Sequence, residues 1–394
     1  MGEWATSGVT GLLVGGAVGL LLSVLFEDTL KKGLYRGRRK VRVRGRRARP
    51  PAPRETFSLG PLKTSHLVIE GDGVQEIAEE SVTVIVEPSF VTLPPDVAAR
   101  REEIAVEQAH RRAEGLPAAW NGPSYAIARF SVSRRPDDEA PEVFVRLRHS
   151  DFFTFLATQE LDVVGADGQT LRERYLGGDP LKVEPFMSSS FGVNIAVVTA
   201  DHRLLISRRS DRVQTARSLW SSSANEALSR SIDSAGRQEP SFHGVARRGL
   251  CEELSLDDDE YGLKLLTFCL DTATHQWGAT FVARLHSLTS TELEERWSRG
   301  APDAWEHDRH CFVRFVPEDV FRFVLAPERR DRWTATGPPL YFYALANEYG
   351  RARVEKAIRT VAREPAGRRR RGRRRAASGV DHVAAGEHGG NARR

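Results

Sequence analysis

The chain has 394 residues, 40% apolar and 28% charged, a balance that fits a globular body with room for two cores and excludes a wholly disordered chain. Its net charge of +5 is unevenly placed: residues 31–54 hold 12 Lys or Arg and no acid, residues 368–375 hold seven Arg, and residues 55–367 carry 37 basic against 48 acidic groups, a net of −11. An acidic body between basic ends excludes nucleic-acid binding by the folded part as an inference from overall basicity, and three Cys without a C-x-x-C pair exclude a cysteine metal cluster.

In chain order, the first feature is the uncharged run from Gly8 to Phe26. Its length corresponds to about 28 Å of helix, close to the hydrocarbon thickness of a bilayer, so residues 1–30 are predicted to form one amino-terminal transmembrane helix. No positive segment precedes the run and no A-x-A-like site follows it, which argues against a cleaved signal peptide. The basic flank after it predicts a single-pass protein of the cell membrane with its body in the cytoplasm. Gly11, Gly15 and Gly19 fall at four-residue spacing, a ridge suited to self-association, although helices in lipid are also glycine-rich in general. Residues 31–55 are expected to be a solvated basic linker, with 31–54 attracting anionic lipid at about 1 kcal/mol per Lys or Arg.

Residues 56–190 read as an accessory α+β region. The β-branched runs at His66–Ile69 and Ser81–Val86 predict strands, and Asp96 after a Pro pair predicts a helix from Val97 to Glu114. Val143–Leu147 and Phe152–Leu156 read as buried, while His66, His110 and His149 are scattered and form no catalytic constellation. In residues 191–365, Val193–Thr199, Leu204–Ser207, Leu263–Leu270, Ala279–Leu285 and Phe312–Val316 predict strands, and a last helix is expected from Ala344 past Arg353. Residues 366–394, rich in Gly, Arg and Ala, are expected to be a disordered tail.

The segment with chemical content is Arg248-Gly-Leu-Cys-Glu-Glu-Leu-Ser-Leu256. On a helix, positions 249, 252 and 253 share a polar face, Leu250 and Leu254 turn to the core, and Arg248 lies one turn before Glu252. Paired carboxylates on a rigid helix suit a hard divalent cation with open sites for phosphate oxygens. The stretch resembles the second half of the Nudix box, R-E-U-x-E-E-x-G-U with U aliphatic, matching five of its seven fixed positions. Gly249 stands where the pattern has its first Glu, and Ser255 replaces its Gly. The upstream Gly and Glu of the pattern fall on Ser234 and Pro240, with Glu239 one position off and Glu226 a displaced alternative.

The resemblance implies an α/β fold, a Nudix-like α/β/α sandwich, here with the accessory region and one transmembrane helix. It implies hydrolysis of a nucleoside-diphosphate-derived diphosphate linkage in a small phosphorylated substrate with Mg2+ or Mn2+. Glu252, Glu253 and Arg248 are the expected catalytic residues. Glu252 and Glu253 would be metal ligands, joined by Glu306 or Glu226, and Arg208 and Arg209 would contact substrate phosphates. The alternative is a catalytically impaired Nudix-like ligand sensor or interaction module at the membrane, favoured by Gly249. Nucleic acid is not an expected partner.

Overall fold

The computed structural model describes residues 57–364, apart from 166, 214 and 235–238. Among these, no helix is long and apolar enough to cross a membrane. The expected fold class, a sandwich carrying one transmembrane helix, is therefore corrected to a mixed α/β body built on several sheets, without a spanning helix among the described residues. The Gly8–Phe26 run, the Gly11/Gly15/Gly19 ridge, the basic linker and the Arg-rich tail lie outside those residues.

The strands are β1 (Phe57–Leu59), β2 (Leu62–Thr64), β3 (His66–Glu70), β4 (Val82–Phe90), β5 (Pro123–Arg134), β6 (Pro141–Asp151), β7 (Phe191–Val198), β8 (Arg203–Arg209), β9 (Trp220–Ser221), β10 (Ala224–Ala227), β11 (Tyr261–Asp271), β12 (Gln276–Leu285) and β13 (His307–Arg314). The helices are α1 (Pro95–Ala113), α2 (Phe152–Ala157), α3 (Arg230–Asp233), α4 (Phe242–Leu254), α5 (Ser290–Ser298), α6 (Pro317–Val324), α7 (Gly337–Tyr349) and α8 (Arg351–Arg363). The Phe152–Leu156 run, read from sequence only as buried, is helical because Asp151 caps it through the Thr154 amide. The single last helix expected is two, broken at Gly350, whose φ of +77° lies where an L side chain is strained.

The main sheet has eight strands, ordered β13-β8-β7-β12-β11-β3, with β9 on β8 and β10 on β7; β7 and β12 are parallel and the other pairs antiparallel. A smaller sheet runs β4-β6-β5. Strand β3 lies in the stretch read as accessory, yet it pairs with β11 through His66↔Asp271 and Val68↔Cys269. The strand period of two explains the layers. Val193, Ile195 and Val197 turn to one face and pack with Phe242, Val245, Ala246, Leu250 and Leu254 of α4 and with Val143, Val145 and Leu147 of the smaller sheet. Ala196, Val198, Leu204 and Ile206 turn to the other and pack with Val320 and Phe321 of α6, Leu340 and Leu345 of α7, and Val354 of α8. Residues 162–174 form part of a separate compact unit, in which Arg172 grips Asp162 with two hydrogen bonds.

The site is positioned by a split in the β7–β8 hairpin. These strands pair only at Val198↔Leu204, and the segment 220–227 fills the gap, β9 against β8 and β10 against β7. Ser223 joins both sides: its hydroxyl donates to the Leu205 carbonyl and accepts from the Val197 amide, while its own amide donates to the Ile195 carbonyl. The split thus brings Asn225 and Glu226 beneath α4.

Candidate functional site

Helix α4 begins at Ser241, whose hydroxyl accepts from the Gly244 amide, and Phe242 stacks on Phe191 with ring centroids 4.2 Å apart. It ends in a Schellman-type turn, with the Ser255 amide on the Cys251 carbonyl and the Leu256 amide on the Leu250 carbonyl. Ser255 holds φ 55° and ψ 41°, the left-handed conformation that glycine adopts without strain. Serine at this position therefore makes the turn at a conformational cost. Leu256, fully buried, closes the turn against the core.

The polar face is not the one the helix spacing predicts. Glu252 is half-buried, whereas Gly249 and Glu253 are buried. A Cβ on Gly249 would stand 3.1 Å from Glu226 Cβ and 3.8 Å from Ile195 Cδ1. The side chain of Glu226 thus lies against the position where the family pattern has its first carboxylate, approaching from β10 instead of from the helix. A side chain at 249 would require Glu226 to give by a few tenths of an ångström.

Arg248 is the hub of the site. Its guanidinium contacts Glu226 at 2.9 Å, Asp233 at 2.9 Å and Glu252 at 3.1 Å, and donates to the Ala227 carbonyl at 3.0 Å. These charge-assisted contacts outweigh its burial and raise its already high pKa further. Glu226 is pushed up to about 7, chiefly by burial and then by the charge of Glu252, against the opposing pull of Arg248 and the Ala227 amide.

Glu253 points away from this hub. Its Oε1 accepts from the Asn225 amide at 2.8 Å, and its Oε2 stands 3.2 Å from Nδ1 of the equally buried His307 without the alignment of a hydrogen bond. Burial, reinforced by the charge of Glu306, holds Glu253 well above the usual carboxylate range. Burial also holds His307 well below the usual imidazole range. Burial thus favours the uncharged form of both members of the pair. Farther along β13, His310 packs against Trp297 with ring centroids 4.1 Å apart and the rings tilted by 40°, and burial pushes it down to about 3.

Glu306 is 3.6 Å from Arg209, and burial raises its pKa. Arg209 donates to Asn225 Oδ1 and to the Thr215 carbonyl, so it braces the split hairpin. Arg208 is held by Asp308 with two hydrogen bonds of 2.7 Å. Both arginines expected to meet substrate phosphates are thus engaged within the protein.

The fold gathers Glu226, Arg248, Glu252, Glu253 and Glu306 at one end of the main sheet. The charges of Glu306 and Glu226 add to the upward shift of Glu253, and the charge of Glu252 adds to the shifts of Glu226 and Glu306. Among the described residues, however, no three His, Cys, Asp or Glu side chains are grouped so that they can hold a metal ion. Glu226 and Glu252 turn to Arg248 while Glu253 turns to Asn225 and His307, so this arrangement does not fit the expected Mg2+ or Mn2+ site. Sequence reasoning missed Asp233 and His307 as site residues. His307 was findable as the neighbour of Glu306, five positions before the strand predicted at Phe312–Val316; Asp233, 15 positions before Arg248, carried no signal.

No protein-family model matches the chain, and no curated protein matches it. Among solved structures, the chain is similar to the crystal structure of DR0079 from Deinococcus radiodurans, with 15% identity over 40% of this chain and 82% of that one and a TM-score of 0.27. A likeness of that size carries no argument about function.

Proposed function

We propose that this chain is a catalytically impaired Nudix-like module that binds a phosphorylated ligand as a sensor or interaction module, with little or no turnover. The observation that carries the reading is Arg248, whose one guanidinium engages Glu226, Asp233 and Glu252. Metal-assisted hydrolysis needs carboxylates free to share a cation and a base to take a proton from water. Here Glu226 and Glu252 are engaged by an internal arginine, while burial shifts Glu253 and Glu306 toward the uncharged form. Gly249 adds to the same reading, because the helix itself supplies no carboxylate there.

A second reading, a slow hydrolase of nucleoside-diphosphate derivatives, is favoured by one observation: Glu226, Glu252, Glu253 and Glu306 lie within electrostatic reach of one another, as a cation-binding cluster would require. One experiment separates the two. The purified full chain is incubated with a nucleoside-diphosphate panel with and without Mg2+ or Mn2+, following phosphate release and melting midpoint together. The sensor reading expects background phosphate release and a midpoint raised by at least one panel member. Metal-dependent release that disappears in Glu252→Gln would overturn it.

A further inference from the structure

The smaller sheet, β4-β6-β5, has two unlike faces. Val84 and Val86 of β4, Val143, Val145 and Leu147 of β6, and Ile127 and Phe130 of β5 pack into the core. The strand period of two sends their neighbours to the opposite face, where Ile85 pairs with Arg146 and Glu87 with Arg148. That face is open to water: Ile85 is 40% exposed, and the side chains of Arg146 and Arg148 are 41% and 39% exposed.

Three guanidiniums gather there around one carboxylate. Glu87 stands 3.0 Å from Arg146 and 2.8 Å from Arg148. The β5–β6 register shifts between Ile127 and Arg129, and this bulge sets Arg129 directly opposite Arg146. Arg129 is exposed and has no hydrogen bond or ion pair among the described residues. Glu142, the other acid on this face, lies beyond Phe144 at the start of β6, where it accepts from the Ser133 hydroxyl at 3.3 Å. Like charges directly opposite one another weaken a sheet, so the Arg129–Arg146 pair is costly until an anion meets it. It is also a local exception on an acidic body.

The form of the face selects the anion. A bilayer surface rich in anionic head groups is flat and continuous, meets all three guanidiniums at once, and takes an aliphatic side chain at the head-group boundary. Single-stranded RNA needs open aromatic rings for its bases, whereas Phe144 on this face is half-buried with the Arg146 guanidinium 6.0 Å from its ring centroid. Each Arg close to an anionic surface strengthens association roughly fivefold, so three give roughly a hundredfold. That is weak for a free acidic body, but it adds to the pull on residues 31–54 of the same chain, whose 12 Lys or Arg suit the same lipid.

We propose that the open face of β4-β6-β5 rests on an anionic lipid surface, with Arg129, Arg146 and Arg148 against the head groups and Ile85 at their boundary with the acyl chains. The face lies outside the Arg248 cluster, and the inference does not depend on what that cluster binds.

The test is co-sedimentation of the full chain with vesicles of phosphatidylcholine alone or of phosphatidylcholine mixed equally with phosphatidylserine. Wild type is expected to partition preferentially onto the mixed vesicles. Arg129→Gln should lower that partition about fivefold and leave partition onto phosphatidylcholine unchanged. Arg332→Gln makes the same charge change at an exposed arginine beside Trp333, which packs in the layer across the main sheet, and should alter neither. Equal melting midpoints of the three proteins check that the fold is intact. A photoreactive phosphatidylserine should cross-link to peptides of β4 and β6. Equal losses in Arg129→Gln and Arg332→Gln would reduce the effect to net charge and overturn the proposal. So would an Arg129→Gln partition equal to that of wild type, or no preference for the mixed vesicles. Loss of oligouridine binding in Arg129→Gln with vesicle binding unchanged would likewise overturn it and assign the face to RNA.

Discussion

Restoring the carboxylate that the family pattern places at 249 should damage the protein instead of repairing it. Replacing Gly249 by Ala gains roughly 1 kcal/mol in helix propensity. The new Cβ, however, meets Glu226 Cβ at 3.1 Å in a buried contact, and overpacking of this kind costs about 1–3 kcal/mol. Gly249→Ala is therefore expected to range from neutral to moderately destabilising. Gly249→Glu adds a second carboxyl beside Glu226, in a position where Arg248 already serves three acids. An unsatisfied buried polar group costs a further ~1–3 kcal/mol, so the variant should lie about 3 kcal/mol below wild type. Urea unfolding of the full chain followed by tryptophan fluorescence measures this, with equal m-values as the check that one transition is being compared. If crowding at Glu226 is the cause, Glu226→Ala combined with Gly249→Glu should recover most of the loss, as a double-mutant cycle would register. A Gly249→Glu variant as stable as wild type would refute the reasoning.

Two further outcomes follow from the same cluster. Glu226 has its pKa raised in the folded state from the ordinary 4.5 to about 7, so the folded protein holds this proton more tightly than the unfolded chain. Its contribution is fully present below about pH 4.5 and is lost as pH rises to about 7; Glu226→Gln should remove that part of the pH dependence, and a wild-type-minus-variant difference that stays flat from pH 4 to 8 would contradict it. Glu253, buried and shifted toward its uncharged form, should tolerate Gln within about 1 kcal/mol because the amide oxygen still accepts from the Asn225 amide, whereas Glu253→Ala should cost about 2–4 kcal/mol by leaving a cavity and an unpaired amide; thermal unfolding of both variants checks the contrast.

Much of the local structure was decided by the sequence alone. The apolar runs at 193–199, 204–207 and 279–285 form strands because their side chains suit a pleated, buried surface, and α4 forms because Ser241 caps it while Leu250 and Leu254 recur on its core face. That Ser255 would hold a left-handed conformation at the end of α4 was not legible, because serine carries no glycine-like signal for it. Only the tertiary structure decided what the polar residues do. Whether Glu253 faces water or His307 depends on where β13 lies, and that strand pairs with β8 across roughly 100 intervening positions. The vacancy at Gly249 likewise has no meaning along the helix. It is filled by Glu226, which comes from another strand because the β7–β8 hairpin splits and admits 220–227 between its arms. Local spacing specifies which residues share a face, but partners drawn from distant segments decide which carboxylate is paired, which is neutral and which stays in water.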